Sequence, residues 1–162
     1  MNPAIVIPSY WAGQDTDPLS PGRYDHTTAM GDSAPELETC LASLKQVRGV
    51  MRVIVLAVCP KDATERVRAT IEQIASAYPE LPVTIVTNRE AAAVQDRIAR
   101  IAPDVSGEPV SLRGYGAIRN MGLAAAAILG HDVAVFLDDD EVVLNEDFLV
   151  QAVHGLNQLT RQ

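Results

Sequence analysis

The chain has 162 residues, 48% hydrophobic and 21% charged, a globular balance that argues against general disorder. This length is most simply one domain with a sizeable core. A net charge of −8, with eleven scattered arginines, argues against a nucleic-acid surface.

Ala4-Ile5-Val6-Ile7 predicts a first buried strand, stopped by Pro8-Ser9. Residues 11–34 are rich in Gly, Pro, Asp, Ser and Thr and read as one long loop, of the kind that tends to be functional or mobile. Ser33 and Glu36 have the S-x-x-E spacing of a capping box. The helix after them places Leu37, Cys40, Leu41, Leu44 and Val47 on one face.

Val53-Ile54-Val55-Leu56 predicts a second strand, closed by Cys59-Pro60, and a helix over 63–78 then buries Val67, Ile71, Ile74 and Tyr78. Pro79 and Pro82 bracket the turn into a third strand, Val83 to Val86. Val94, Ile98 and Ile101 mark the next helix, followed by a loop over 102–113. A fourth helix runs from Gly114 to Leu129 and ends at Gly130. Val133 to Leu137 predicts the last strand, and Phe148 or Leu149, Ala152, Val153, Leu156 and Leu159 outline a final helix. Apolar strands alternating with helices imply an α/β three-layer sandwich with a mostly parallel sheet.

The last strand runs straight into Asp138-Asp139-Asp140. Three adjacent like charges at a strand end suit a hard divalent cation, which prefers oxygen ligands. Alternation lets Asp138 and Asp140 serve one ion while Asp139 faces elsewhere. A solvated acidic turn capping the next helix is the competing reading. Upstream, Gly114-Tyr115-Gly116-Ala117-Ile118-Arg119 opens a helix, and helix starts bind phosphate. Arg119 adds a planar cation suited to phosphate oxygens, or else pairs structurally with the acidic cluster. The G-x-G element does not continue as a dinucleotide fingerprint. Tyr10 and Trp11 lie just beyond the first strand, placed either to stack on a flat ring or to close the core edge.

Cys40 and Cys59 have no metal-type spacing and read as reduced core residues. His26, His131 and His154 share no ligand spacing; His26, after Asp25 in the long loop, retains a small prospect of a substrate contact. The N-terminal apolar run is too short for a signal peptide, and no segment approaches a span of about 20 apolar residues. The expected location is cytoplasmic, with membrane association left to a missing segment.

Together these stretches resemble the nucleotide-binding half of a family 2 glycosyltransferase with the GT-A fold. The resemblance rests on Ile5-Val6-Ile7-Pro8-Ser9-Tyr10, Leu41-Ala42-Ser43-Leu44 and Val53-Ile54-Val55-Leu56. More specific are Gly116 to Gly122, spaced correctly before Phe136-Leu137-Asp138-Asp139-Asp140, and the tail Val143 to Leu149. It covers nearly the whole chain, taken as a single GT-A-like donor domain over 1–162.

The resemblance implies a UDP- or GDP-linked sugar donor, with Pro8, Ser9 and Tyr10 lining base and ribose. Arg119 and Asp139 would line the donor, with Arg119 near the pyrophosphate or sugar. Asp138 and Asp140 would be the D-x-D pair holding Mg²⁺ or Mn²⁺, Asp140 the more direct ligand. Inverting transfer to an unknown acceptor follows as the expected activity. Two departures stand out. Ala57-Val58 replaces the usual pair of aspartates after the second strand, and the chain ends 22 residues beyond Asp140, short of the family's catalytic base and acceptor segment. The expectation is the donor-binding part of such an enzyme, either truncated or a natural short version. A non-catalytic nucleotide-sugar-binding or regulatory module of the same fold is the alternative. Asp138-x-Asp140-x-Val142 also fits the dehalogenase-type phosphatase pattern, but that motif belongs on a first strand. A sugar nucleotidyltransferase needs a Gly-rich, Arg- and Lys-containing loop after strand one, which Pro8-Ser9-Tyr10-Trp11 is not. A homo-oligomer through an exposed sheet edge is a further expectation.

Overall fold

A computed structural model describes residues 1–11, 28–29, 33–104 and 109–156. Their order is β1 (Pro3–Tyr10), α1 (Pro35–Leu44), β2 (Val53–Val58), α2 (Thr64–Ser76), β3 (Val83–Val86), α3 (Asn88–Ile101), α4 (Tyr115–Ile128), β4 (Val133–Phe136) and α5 (Phe148–Ala152). The four strands form one all-parallel sheet in the order β3-β2-β1-β4. Helices cover both faces, so the fold is an open α/β sandwich, as the alternating pattern predicts.

Strand alternation sorts the core into two halves. Ile5, Ile7, Val53, Val55 and Ala57 pack with Leu37, Cys40, Leu41 and Leu44 of α1 and Val67 and Ile71 of α2. Ala4, Val6, Ile54, Leu56 and Val58 face the other way, against Ala91 of α3 and Ile118, Met121 and Ala125 of α4. Gly122 lets α4 approach this face closely. A Cβ there would lie 2.7 Å from Val6 Cγ1 and 2.8 Å from Phe136 Cε1.

Several boundaries differ from expectation, each for a physical reason. β1 does not stop at Pro8-Ser9 but continues through Pro8 to Tyr10. The Ile5 N–H donates to Arg52 O at 3.0 Å and the Trp11 N–H to Val58 O at 2.9 Å, so odd-numbered donors of β1 point at β2. Pro8 would point its absent donor at β4, whose pairing with β1 ends at Val6 and Phe136. No ladder bond is lost there.

The Ser33–Glu36 capping box does not form. Buried Ala34 is the N-cap of α1, without a side-chain cap, and Pro35 begins the helix. A capping box exists instead at α3, where Thr87 Oγ1 accepts from Arg89 N and Glu90 Oε2 accepts from Thr87 N at 2.9 Å. The last helix is also shorter than predicted: it ends at Ala152, and a turn follows with Gly155 at φ 84°. Leu159 lies outside the described residues, as does most of the 11–34 loop, His26 included.

β3 and β4 are the two edges, and Val133 to Phe136 remain only half-buried. Among the described residues no helix is long and apolar enough to cross a membrane.

Candidate functional site

All four strands end on one rim, at Tyr10, Val58, Val86 and Phe136. The chain builds outward from β1 to β2 to β3, then returns to add β4 on the free side of β1. Ligands of open α/β sheets bind outside the strand carboxyl ends at such a reversal. Here the reversal lies between β1 and β4, and the residues singled out in the sequence converge there. Pro8-Ser9-Tyr10 ends one of the two strands, Asp138-Asp139-Asp140 follows the other, and α4 begins on the same rim.

The three aspartates part ways as they leave the sheet. The Leu137 N–H makes the last sheet bond, to Val6 O at 3.1 Å. The chain then turns: the Glu141 N–H donates to Asp138 O at 3.1 Å, and Glu141 Oε2 accepts from the Asp138 N–H at 2.8 Å. Glu141 thus closes the turn from both ends, a role the sequence reading missed although D-x-x-E has capping-box spacing. No helix begins directly after the triplet, so it is not the helix cap of the competing reading.

Asp138 is exposed and pairs with Arg119, Nη2 to Oδ1 at 2.8 Å. The Arg119 guanidinium also lies 4.9 Å from the Phe136 ring centroid and 5.2 Å from that of Tyr115, and donates to the Tyr115 hydroxyl at 3.2 Å. Burial lowers its pKa, but the Tyr115 hydrogen bond and the Asp138 charge outweigh this and leave it above the ordinary value. The structural pairing considered for Arg119 is therefore present.

Asp139 faces the α1 side and is only 7% exposed. Burial raises its pKa to about 6; the Ser9 hydroxyl acts in the opposite sense, and Asp140 and Asp138 add to the rise. The Cys40 thiol of α1 lies 3.8 Å from Asp138 O, its own pKa pushed up to about 12 by burial and by the charges of Asp139, Glu141 and Asp140. Asp140 is exposed. Exposure alternates along the triplet, with Asp139 alone buried.

Pro8 and Ser9 are buried and Tyr10 is 8% exposed. Trp11 is fully buried in the α1-side core, which is the core-edge reading of that residue. Thr28 returns to the rim on the β4 side, where its N–H donates to Tyr10 O at 2.7 Å. An exposed aromatic at the site is Tyr115, 61% exposed at the start of α4, for which sequence reasoning offered no role. Gly114 adopts φ 77°, and among the described residues a Cβ at Gly116 would meet nothing within 4 Å. The helix start therefore leaves room for an approaching anion.

A divalent cation needs several oxygen ligands. Among the described residues no group of three or more His, Cys, Asp or Glu side chains is disposed to hold one. Asp138 and Asp140 offer hard oxygens from one turn, which suits a cation that brings phosphate oxygens as its other ligands. Two exposed carboxylates from one turn would leave most of a cation's ligands to be supplied by another group.

Ala57 and Val58 are both buried at the end of β2 and supply no carboxylate to the rim. Cys59, beyond them, lies near Asn88, whose amide donates to Cys59 O at 3.2 Å and Thr64 Oγ1 at 3.0 Å. His131 is half-buried and His154 exposed.

The class is thus an open, all-parallel α/β domain with an acidic turn and a glycine-flanked helix start at its switch point. No protein-family model matches the chain, and no curated protein matches its sequence.

Proposed function

We propose that this chain binds a nucleotide-diphosphate sugar, UDP- or GDP-linked, together with Mg²⁺ or Mn²⁺. It would do so as the GT-A-type donor part of an inverting family 2 glycosyltransferase with an unknown acceptor. The observation that carries the reading is the meeting of Arg119 and Asp138 at the β1–β4 switch point. It brings a guanidinium and a carboxylate within one hydrogen bond of each other beside the start of α4, which supports a site for an anion and a cation together.

In this reading Asp138 and Asp140 would hold the cation, which when bound supplies Lewis-acid neutralisation of the leaving diphosphate. Arg119 would turn from Asp138 to a phosphate oxygen, its planar fork suiting either partner. The start of α4 adds free N–H groups and its dipole. Tyr10, Pro8 and Ser9 would form the wall toward base and ribose, and Asp139 would stay on the α1 side as a buried support.

A second reading, a non-catalytic nucleotide-sugar-binding module, is favoured by one observation: the β2 end of the rim carries buried Ala57 and Val58 where a base-contacting carboxylate would stand. Calorimetric titration with UDP- and GDP-sugars, with and without Mn²⁺, tests both readings. Metal-dependent binding that Asp140→Ala abolishes is the expected result. Absence of metal-dependent binding to either nucleotide class would overturn donor binding itself. Binding without any sugar transfer or donor hydrolysis would favour the second reading.

A further inference from the structure

Beyond Leu137 the acidic turn leaves the sheet, and most of the described backbone contacts that hold it come from α1 and the turn after α1. Val143, three residues past Asp140, has both its main-chain groups taken. Its N–H donates to Ser43 Oγ at 3.0 Å, and its carbonyl accepts from Gln46 Nε2 at 2.6 Å. The Val143 side chain is buried in the α1-side core, while Leu144 beside it is 85% exposed. Farther on, the Arg48 N–H donates to Glu146 O at 2.8 Å, and its guanidinium pairs with Asp147. At the near end, Cys40 lies beneath the Asp138 carbonyl.

Cys40, Ser43 and Gln46 recur every three residues, so they line one side of α1 and its extension. Along that side runs the segment carrying the carboxylates. Its first anchor is β1, through Leu137, and its second is this row. Asp138 to Val142 span the gap between the two anchors, closed internally by Glu141.

We infer that Ser43 and Gln46 are positioning residues, which hold the acidic turn in its ligand-ready geometry by clamping Val143 to α1. The inference rests on the reading of Asp138 and Asp140 as donor-binding groups. Neither Ser43 nor Gln46 touches the ligand; each acts through Val143. A carboxylate pair that must meet one cation tolerates little displacement, and outer groups that fix such ligands typically matter about ten- to a hundredfold in affinity.

The test is the double variant Ser43→Ala/Gln46→Ala in the full chain, read in two ways. Hydrogen exchange, with mapped labelling of the Cys40 thiol by a neutral disulfide, needs no ligand. Exchange over 138–143 should rise by about tenfold or more, with faster Cys40 labelling, while α2 is unchanged. Unchanged exchange and labelling would overturn the clamp. Calorimetry with UDP or GDP plus Mn²⁺ should show affinity weakened by about tenfold or more. The single variant Ser43→Thr, which keeps the hydroxyl, should stay near wild type. Faster exchange with unaltered affinity would reduce Ser43 and Gln46 to a staple and overturn the positioning role. If the wild-type chain binds neither nucleotide, the donor reading falls, and with it the positioning role; the exchange arm still decides whether the clamp exists.

Discussion

Replacing Arg119 with alanine should shift two affinities in opposite directions. The guanidinium is 23% exposed and the Asp138 carboxylate 54% exposed, so their attraction is well screened despite the 2.8 Å contact. Such pairs contribute roughly 0.2–1 kcal/mol. Stacking against Phe136 and Tyr115, at 4.9 and 5.2 Å, adds about 0.5–1 kcal/mol each. The sum is about 1–3 kcal/mol of stability, or a fall in Tm of roughly 2–12 °C for a domain of this size. For the ligand, a charge-assisted bond to a phosphate oxygen is worth about 1.5–3 kcal/mol, so UDP or GDP binding in Mn²⁺ should weaken about ten- to a hundredfold. Free Mn²⁺ should respond the other way. Removing its partner releases Asp138, and Mn²⁺ binding without nucleotide should tighten by up to about fivefold, the equivalent of the lost pair. Arg119→Lys keeps the charge but not the fork or the flat stack, and should fall between. Calorimetry for nucleotide and electron paramagnetic resonance for Mn²⁺ measure the two responses separately. Nucleotide affinity unchanged in Arg119→Ala, or Mn²⁺ binding weakened together with it, would refute the reasoning.

Gly122→Ala would place a methyl 2.7 Å from Val6 Cγ1 and 2.8 Å from Phe136 Cε1. Overpacking of that order costs about 1–3 kcal/mol, and thermal melts should show the loss; wild-type stability would mean that α4 can retreat freely. Asp139→Asn should change the pH dependence of stability. The native carboxyl, held near pKa 6, keeps its proton where the unfolded chain has released it. Stability should therefore fall as pH rises from about 4 through about 6, by up to about 3 kcal/mol. The variant should lose that slope in urea melts without divalent cation, and identical profiles for the two proteins would remove Asp139 as its source.

Much of the architecture was legible because its signals are local. Continuous apolar runs such as Val53 to Leu56 and Val83 to Val86 specify buried parallel strands, and helical spacing specifies what covers them. Pro8 was misleading because the cost of a proline depends on which neighbour its missing donor faces. That follows from the β1–β4 register, which no local pattern contains. The S-x-x-E spacing at Ser33 misleads because the N-cap of α1 falls one residue later, on Ala34 before Pro35, whereas the capping box is at Thr87 and Glu90. Within the site, the aspartates and Arg119 stood out by type and spacing. Gly122 stood out only as the end of the Gly116 to Gly122 stretch; the close approach it permits depends on Val6 and Phe136, which no local pattern contains. The contacts of Ser43 and Gln46 were hidden for the same reason: Ser43 was legible only within the Leu41 to Leu44 stretch, and Gln46 looks like surface until Val143 is laid against it.

The fate of the three aspartates bears on what the site can accept. They emerge between helices of opposite faces, so each meets a different neighbour. Asp138 is matched by Arg119, Asp139 is pushed by burial toward its neutral form, and Asp140 is exposed. A bare divalent cation would have to compete with Arg119 for Asp138 and fill its remaining positions with water. A free anion would meet Asp140 unscreened, in a chain of net charge −8. A cation and a diphosphate arriving together resolve both conflicts, since the anion draws Arg119 away and the cation takes the carboxylate that it leaves. Cation and nucleotide should therefore bind cooperatively, each raising the affinity for the other by the same factor. Titrations of either component at several fixed concentrations of the other measure that factor, and independent binding would break the link between the split aspartates and the proposed donor.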